Sequence, residues 1–143
     1  MSKIVLCDID GTIANNDHRQ HLLKEFKDWD KFFLELKNDH PIFSIIDIVQ
    51  RYYDDNKNIC FITGRPERYR AETKEWLEQF FKFQFQLIMR KDGDARNKVE
   101  IKKELFHTNF NSQEILISIE NDKLLCELWS SLGLEVIDVN KLL

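Results

Sequence analysis

Residues 3–12 read KIVLCDIDGT, an apolar run that meets Asp8 and Asp10, two aspartates separated by one residue, and then Gly11 and Thr12. The run from Lys3 to Ile9, closed by acidic residues and a glycine, predicts a short strand buried on both faces, as in a parallel sheet. At the carboxyl end of such a strand Asp8 and Asp10 face the same way. Carboxylates so placed repel unless a cation lies between them. A divalent metal resolves the conflict, and Mg²⁺ suits it, because that ion is held by one or two carboxylates, backbone oxygens and waters, with a substrate phosphate completing its shell.

Downstream, strand and helix patterns alternate. Leu22, Leu23, Phe26, Trp29, Phe32, Phe33 and Leu36 recur at three- and four-residue intervals, predicting two short amphipathic helices within residues 15–38, broken near Lys27–Asp28 with Asp28 capping the second. Pro41 starts a helical pattern through Tyr52, and the run Ile59 to Thr63 is a second buried strand. Gly64 and Pro66 are expected to open a helix with Tyr69, Thr73, Trp76, Leu77 and Phe80 inward. Strands at Phe85–Met89, Glu114–Ile119 and Leu134–Val139, with helices at Lys98–Phe106 and Asp122–Leu132, complete the series; Gly133 stops the last helix. Five strands alternating with helices predict an α/β fold, a Rossmann-like open parallel sheet with helices on both faces, which binds ligands at the carboxyl ends of its strands. Residues 1–143 read as a single domain, with residues 15–38 a small helical cap insert after the first strand.

The composition agrees. A chain of 143 residues buries about 68–70% of its unfolded surface in one core. Hydrophobic residues are 43% and charged residues 32%, which excludes disordered and low-complexity classes. A net charge of -4 argues against wrapping long nucleic acid by bulk electrostatics, leaving local basic stretches at Arg65–Arg70 and Arg90–Lys103. Cys7, Cys60 and Cys126 are odd in number and form no paired motif, so they read as reduced, packed thiols. With no apolar run long enough for a signal peptide or a membrane span, no membrane partner and a cytoplasmic location are expected.

Asp-x-Asp-Gly-Thr behind a first strand resembles the opening motif of the haloacid dehalogenase superfamily. The resemblance implies that Asp8 is a nucleophile forming an aspartyl phosphate, that Asp10 is the general acid/base, and that Asp8 and the backbone carbonyl of Asp10 bind Mg²⁺. It also implies a hydroxyl on the phosphoryl group, supplied by Thr63, and a neutralising lysine, for which Lys98 and Lys102 both qualify by position. At the acidic station after a later strand the chain departs from the usual Asp-Asp pair: Glu120 and Asn121 stand there as metal residues, with Asp122 as an alternative ligand or a helix cap.

Within the superfamily the sequence is similar to the 3′-phosphatase domain of phage polynucleotide kinases. The likeness rests on Arg19, Thr63-Gly64-Arg65, Tyr69-Arg70 with Trp76, Gly93-Asp94-Ala95-Arg96, Ile101 to Phe106, and Leu128-Trp129. In that register Lys102 takes the lysine position. Arg19, Arg65, Gly64, Arg96 and His18 become substrate-binding candidates, the arginines as phosphate clamps. The substrate implied is a phosphorylated nucleotide or nucleic-acid end. A mononucleotide or small-metabolite phosphatase is the enzymatic alternative, and a receiver-like signalling module the non-enzymatic one; a receiver needs its phosphorylated Asp at the end of a middle strand, where this chain has Thr63. No Gly-x-x-x-x-Gly-Lys-Ser/Thr occurs, which predicts a phosphatase without a kinase half. His18 and His21 lack the companions of a zinc site. Trp29, Phe32 and Phe33 are either core or a stacking surface for a base.

Overall fold

Val5 and Cys7 point into one hydrophobic cluster while Leu6 points into another, so the first strand is buried on both faces. The computed structural model describes residues 2–25 and 27–142; Phe26, expected on the apolar face of the insert, lies outside them. In chain order the strands are β1 (Ile4–Cys7), β2 (Ala14–Asn15), β3 (His40–Pro41), β4 (Asn58–Pro66), β5 (Gln86–Arg90), β6 (Ile115–Glu120) and β7 (Val136–Asp138). The α-helices are α1 (His21–Lys24), α2 (Trp29–Leu34), α3 (Phe43–Asp54), α4 (Arg70–Phe80), α5 (Lys98–Asn109) and α6 (Lys123–Ser131).

Five strands form a parallel sheet in the order β5-β4-β1-β6-β7. Ile45, Ile46 and Val49 of α3 and Trp76 and Leu77 of α4 cover one face together with Ile59 and Phe61. Phe106 of α5 and Trp129 of α6 cover the other, against Leu6, Cys60 and Ile62. The chain leaves β1 towards β4 and β5 on one side, and then returns past β1 to build β6 and β7 on the other. This reversal opens a crevice at the carboxyl ends of β1 and β6, where open α/β sheets place their ligands.

Several boundaries differ from the sequence expectation. β1 stops at Cys7, because the amides of Thr12, Ile13 and Ala14 all turn back onto the Ile9 carbonyl and Gly11 takes a positive φ of 81°. A side chain there would also strike Asn121: a Cβ on Gly11 would lie 2.3 Å from its Nδ2. Pro41 belongs to the β2–β3 ribbon, and the helix begins at Phe43. Gly64 and Pro66 continue β4 instead of opening a helix; a 3₁₀ turn at Glu67–Tyr69 intervenes before α4. Neither departure is visible in hydrophobic periodicity, which does not register a two-residue ribbon or an irregular strand end.

Residues 15–38 carry α1 and α2 between the two strands of that ribbon, and Asp28 does cap α2, accepting from the Lys31 amide at 3.0 Å. Leu22, Phe32, Phe33 and Leu36 form their own apolar cluster around Tyr69, which seats the insert beside the end of β4.

Candidate active site

The carboxyl ends of β1, β4 and β6 gather most of the sequence-predicted residues. Asp8 follows β1 and is 8% exposed. Its Oδ1 accepts a hydrogen bond from Lys102 Nζ of α5 at 2.6 Å, and its Oδ2 accepts one from the Thr12 hydroxyl at 2.9 Å. Lys98 does not reach Asp8; it pairs with Asp122, which caps α6 through the Leu125 amide. The two lysines lie four apart, but α5 buries only Lys102, at 3% exposure.

Glu120 ends β6 and is turned inward. Its Oε1 accepts from Lys102 at 3.1 Å and from Trp129 Nε1 at 3.3 Å, while its Oε2 accepts from the amides of Asn121 and Asp122. A glutamate's extra methylene thus lets one oxygen hold the lysine while the other caps the turn. Burial and the Glu120 charge push the Asp8 carboxyl well above its ordinary range, with Lys102 pulling the other way. Burial alone would lower Lys102, but Asp8 and Glu120 outweigh it and hold the ammonium above the usual lysine range.

Asp10 is treated differently from Asp8. Arg65 grips it with Nε to Oδ2 at 3.0 Å and Nη2 to Oδ1 at 2.8 Å, and Arg19 Nη2 reaches the same Oδ1 at 2.8 Å. Burial raises the Asp10 carboxyl, yet Arg65 and then Arg19 overcome that and hold it below its usual range. The repulsion expected between Asp8 and Asp10 is met by three fixed cations, one on the first carboxylate and two on the second.

These contacts correct the picture of Arg19 and Arg65 as open phosphate clamps. Both are fully buried and committed to carboxylates, because a planar guanidinium fork fits between two acids. The second acid is Asp39, which sequence reasoning missed. It accepts from Arg19 Nε at 2.8 Å and Nη2 at 2.9 Å, and from Arg65 Nη2 at 3.2 Å. His18 meets the same acid; its Nε2 lies 2.7 Å from Asp39 Oδ1. A lone Asp at the end of the insert carries no motif, and its only sequence signal is its place just before His40-Pro41. Arg19 also donates to the Phe32 carbonyl and lies 4.3 Å from the Phe32 ring centroid, so the insert and the site share a side chain. Asp39→Asn should lower kcat about 10²-fold by letting both guanidiniums, and with them Asp10, drift. Steady-state kinetics on a small aryl phosphate check this, the expected signature being a loss in kcat larger than any change in KM.

Thr63 is buried in β4, and its Oγ1 accepts from the Arg65 amide at 3.1 Å, which leaves the hydroxyl hydrogen without a protein acceptor among the described residues. Gly64 next to it presents bare backbone, with open space where a Cβ would stand. Arg96 stands on the loop after β5, exposed and paired with Asp94 and Glu104. Among the described residues it makes no ion pair with Asp8, Asp10, Asp39 or Glu120.

Oxygens available to a cation converge beside Thr12: its Oγ1 lies 2.9 Å from Asp8 Oδ2 and 3.2 Å from Asn121 Oδ1. Four carboxylates, Asp8, Asp10, Asp39 and Glu120, face three fixed cations, Lys102, Arg19 and Arg65, and the surplus negative charge fits a metal ion. Among the described residues no group of three or more His, Cys, Asp or Glu side chains forms a cage. The donor set is that of an ion that keeps waters and shares a substrate's oxygens, as Mg²⁺ does.

The family model that matches this chain makes it a phosphatase domain of the haloacid dehalogenase type. The chain belongs to the family described as the polynucleotide kinase PNKP phosphatase domain, whose profile matches residues 2–142. It is 23% identical over 137 residues to a protein of Autographa californica nuclear polyhedrosis virus named as a bifunctional polynucleotide kinase/RNA ligase, covering 94% of this chain and 19% of that protein. It superposes on a chain of the Pnkp1/Rnl/Hen1 complex with a TM-score of 0.81 at 20% identity, over 96% of this chain and 46% of that one. A hydrolase from Streptococcus pneumoniae TIGR4 shares the fold at a TM-score of 0.57 and 11% identity, over 99% of this chain and 96% of that one. The chain thus spans about a fifth of the viral relative's length and under half of the Pnkp1 complex chain. Membership of a phosphatase family sets the receiver-like alternative aside. Among the described residues no helix is long and apolar enough to cross a membrane.

Proposed function

We propose that this chain removes the 3′-terminal phosphate from a nucleic-acid end, with Mg²⁺ bound and through a phosphoryl-aspartate on Asp8. The observation that carries the chemistry of this reading is the division of labour between two neighbouring carboxylates: Asp8 is held by a lysine and a hydroxyl, and Asp10 by two arginines; membership of the polynucleotide kinase phosphatase family supports the nucleic-acid end. In this reading one Asp8 oxygen attacks phosphorus, the bond from phosphorus to the sugar oxygen breaks, and Asp10 delivers a proton to that oxygen. Water then attacks the acyl phosphate, Asp10 takes its proton, and inorganic phosphate leaves with Asp8 regenerated. The bound ion supplies charge neutralisation of the phosphoryl oxygens and would be held by Asp8, the Asp10 carbonyl and Asn121.

Lys102 offsets the charge of Asp8 as the dianionic substrate approaches, and the free hydrogen of Thr63 is available to a phosphoryl oxygen. Arg65 and Arg19 hold Asp10 below its usual range, so proton delivery depends on the arriving phosphate drawing that carboxyl upward by its own negative charge. Glu120 acts here on Lys102, and a direct hold on the ion falls to the shorter-reaching oxygens beside Thr12.

Phosphate release from a panel tests the reading: a 3′-phosphorylated oligonucleotide, a 5′-phosphorylated one, mononucleotides and sugar phosphates, each with Mg²⁺ or with a chelator. The expected result is release led by the 3′-phosphorylated oligonucleotide and reduced about 10²-fold or more by chelation. Equal or faster hydrolysis of mononucleotides or sugar phosphates would discard the nucleic-acid end and keep the small-molecule alternative.

A further inference from the structure

Beside the acidic edge, between the helical insert and the loops after β4 and β5, lies an open cavity of about 550 Å³ that the proposed chemistry does not use. Trp29, Phe33, Pro66, Arg68, Arg90 and Lys91 line it. Pro66 follows Arg65 directly, and Arg90 pairs with Pro66 across the sheet, so the cavity adjoins the site along the same sheet edge.

Its aromatic wall is built as a stack. Trp29 lies on Phe33 with ring centroids 6.0 Å apart and planes at 26°, and Phe33 lies on Tyr69 at 5.0 Å and 28°. Phe33 and Tyr69 are buried, while Trp29, at the open end of the stack, is 54% exposed; Trp76 and Trp129, by contrast, are 2% and 0% exposed. Leaving a large apolar ring in water at the head of a rigid stack creates a flat surface for another flat group. The rim is cationic. Arg68 pairs with Asp30, and Arg96 with Asp94 and Glu104, but Arg90 and Lys91 enter no ion pair among the described residues. Two uncommitted cations side by side on a chain with net charge -4 mark a local attraction for anions.

We propose that this groove holds the nucleotide adjoining the 3′-terminal one in a single-stranded nucleic acid, its base stacked on Trp29 and its phosphodiester against Arg90 and Lys91. The assignment rests on the end-phosphatase reading for its orientation. Aromatic stacking with tracking cations is how single strands are held without regard to sequence, because every base has a π-face. In a duplex that face is already occupied by its neighbours.

Trp29 is the open one of three tryptophans, so the test can be read by fluorescence without turnover. Titration with short single-stranded deoxy- and ribo-oligonucleotides lacking a terminal phosphate should quench emission, and a blunt duplex should not. With affinities read from the fluorescence anisotropy of a dye-labelled oligonucleotide, which does not depend on Trp29, Trp29→Ala should weaken single-strand binding by roughly 10-fold or more, Trp29→Phe should recover most of it, and Lys91→Gln should lower the slope of log affinity against log salt by about 0.7. In turnover, the KM advantage of a 3′-phosphorylated oligonucleotide over a nucleoside 3′-phosphate should shrink in Trp29→Ala. Equal single-strand binding by wild type and Trp29→Ala would overturn the groove while leaving the phosphatase reading intact. If no oligonucleotide releases phosphate, the end-phosphatase reading falls, and with it the assigned position next to the terminus.

Discussion

Asp8→Asn should fold, melt higher than the wild type above neutral pH, and release no phosphate from any phosphomonoester. The amide keeps the shape of the carboxylate and can still accept from Lys102, but it cannot form the acyl phosphate, so kcat should fall on the order of 10⁴-fold or more. The stability gain follows from the raised carboxyl of Asp8, moved from 3.8 to about 7 by burial and by Glu120 against the pull of Lys102. A carboxyl whose folded pKa lies above its unfolded one carries no penalty below about pH 4, a growing one up to about 7, and the full penalty beyond. Asp8→Asn removes it, so its melting temperature should exceed the wild type's by a few degrees at pH 8 and match it near pH 4. Calorimetry at the two pH values, beside phosphate release, separates the effects: residual turnover removes Asp8 as nucleophile, and a lower melting point at pH 8 contradicts the buried-charge account.

Lys102→Met should damage both fold and activity. The lysine is 3% exposed and stands between Asp8 at 2.6 Å and Glu120 at 3.1 Å, so its loss leaves two buried carboxylates facing each other. Breaking a buried pair on one side costs roughly 3–5 kcal/mol, on the order of 10 °C in Tm for a domain of this size. The deficit should narrow as the pH falls and the raised carboxyl of Asp8 protonates. Turnover should fall on the order of 10³-fold, as a transition-state charge loses its fixed partner. Adding Glu120→Gln should recover much of the melting temperature and none of the activity. Recovery of turnover in the double variant would show that Lys102 served only to neutralise Glu120.

Much of this architecture is legible in the residues. Ile4–Cys7 and Ile59–Ile62 are uninterrupted apolar runs and Ile115–Ile119 is broken only by Ser118, and such runs separated by amphipathic segments leave few arrangements besides a parallel sheet with helices on both faces. Asp28 and Asp122 announce the helices they cap. The placement of Asp8, Asp10, Thr63 and Glu120 at strand ends follows from the same pattern, because polar residues that close buried strands converge on one edge of the sheet. The β2–β3 ribbon and the extension of β4 through Pro66 leave no such trace, since each depends on a partner strand that periodicity does not see.

What the sequence by itself determined is the order of the five sheet strands and the helices between them and the place of Asp8 and Asp10 after the first of them, since these depend on local hydrophobic pattern and on a motif contiguous in the chain. Only the tertiary structure decided which charge meets which. Lys98 and Lys102 are alike in local pattern, and only the family resemblance preferred Lys102; α5 buries Lys102 and exposes Lys98. Arg19 and Arg65 read as clamps until Asp39, brought in by the far end of the insert, turns them into the frame that holds Asp10. Trp29, Phe32 and Phe33 share a helix and a composition, yet the packing of that helix on Tyr69 buries two rings and leaves the third open. Such choices depend on distances between residues remote in sequence, and desolvation and Coulomb energy take their values from those distances alone.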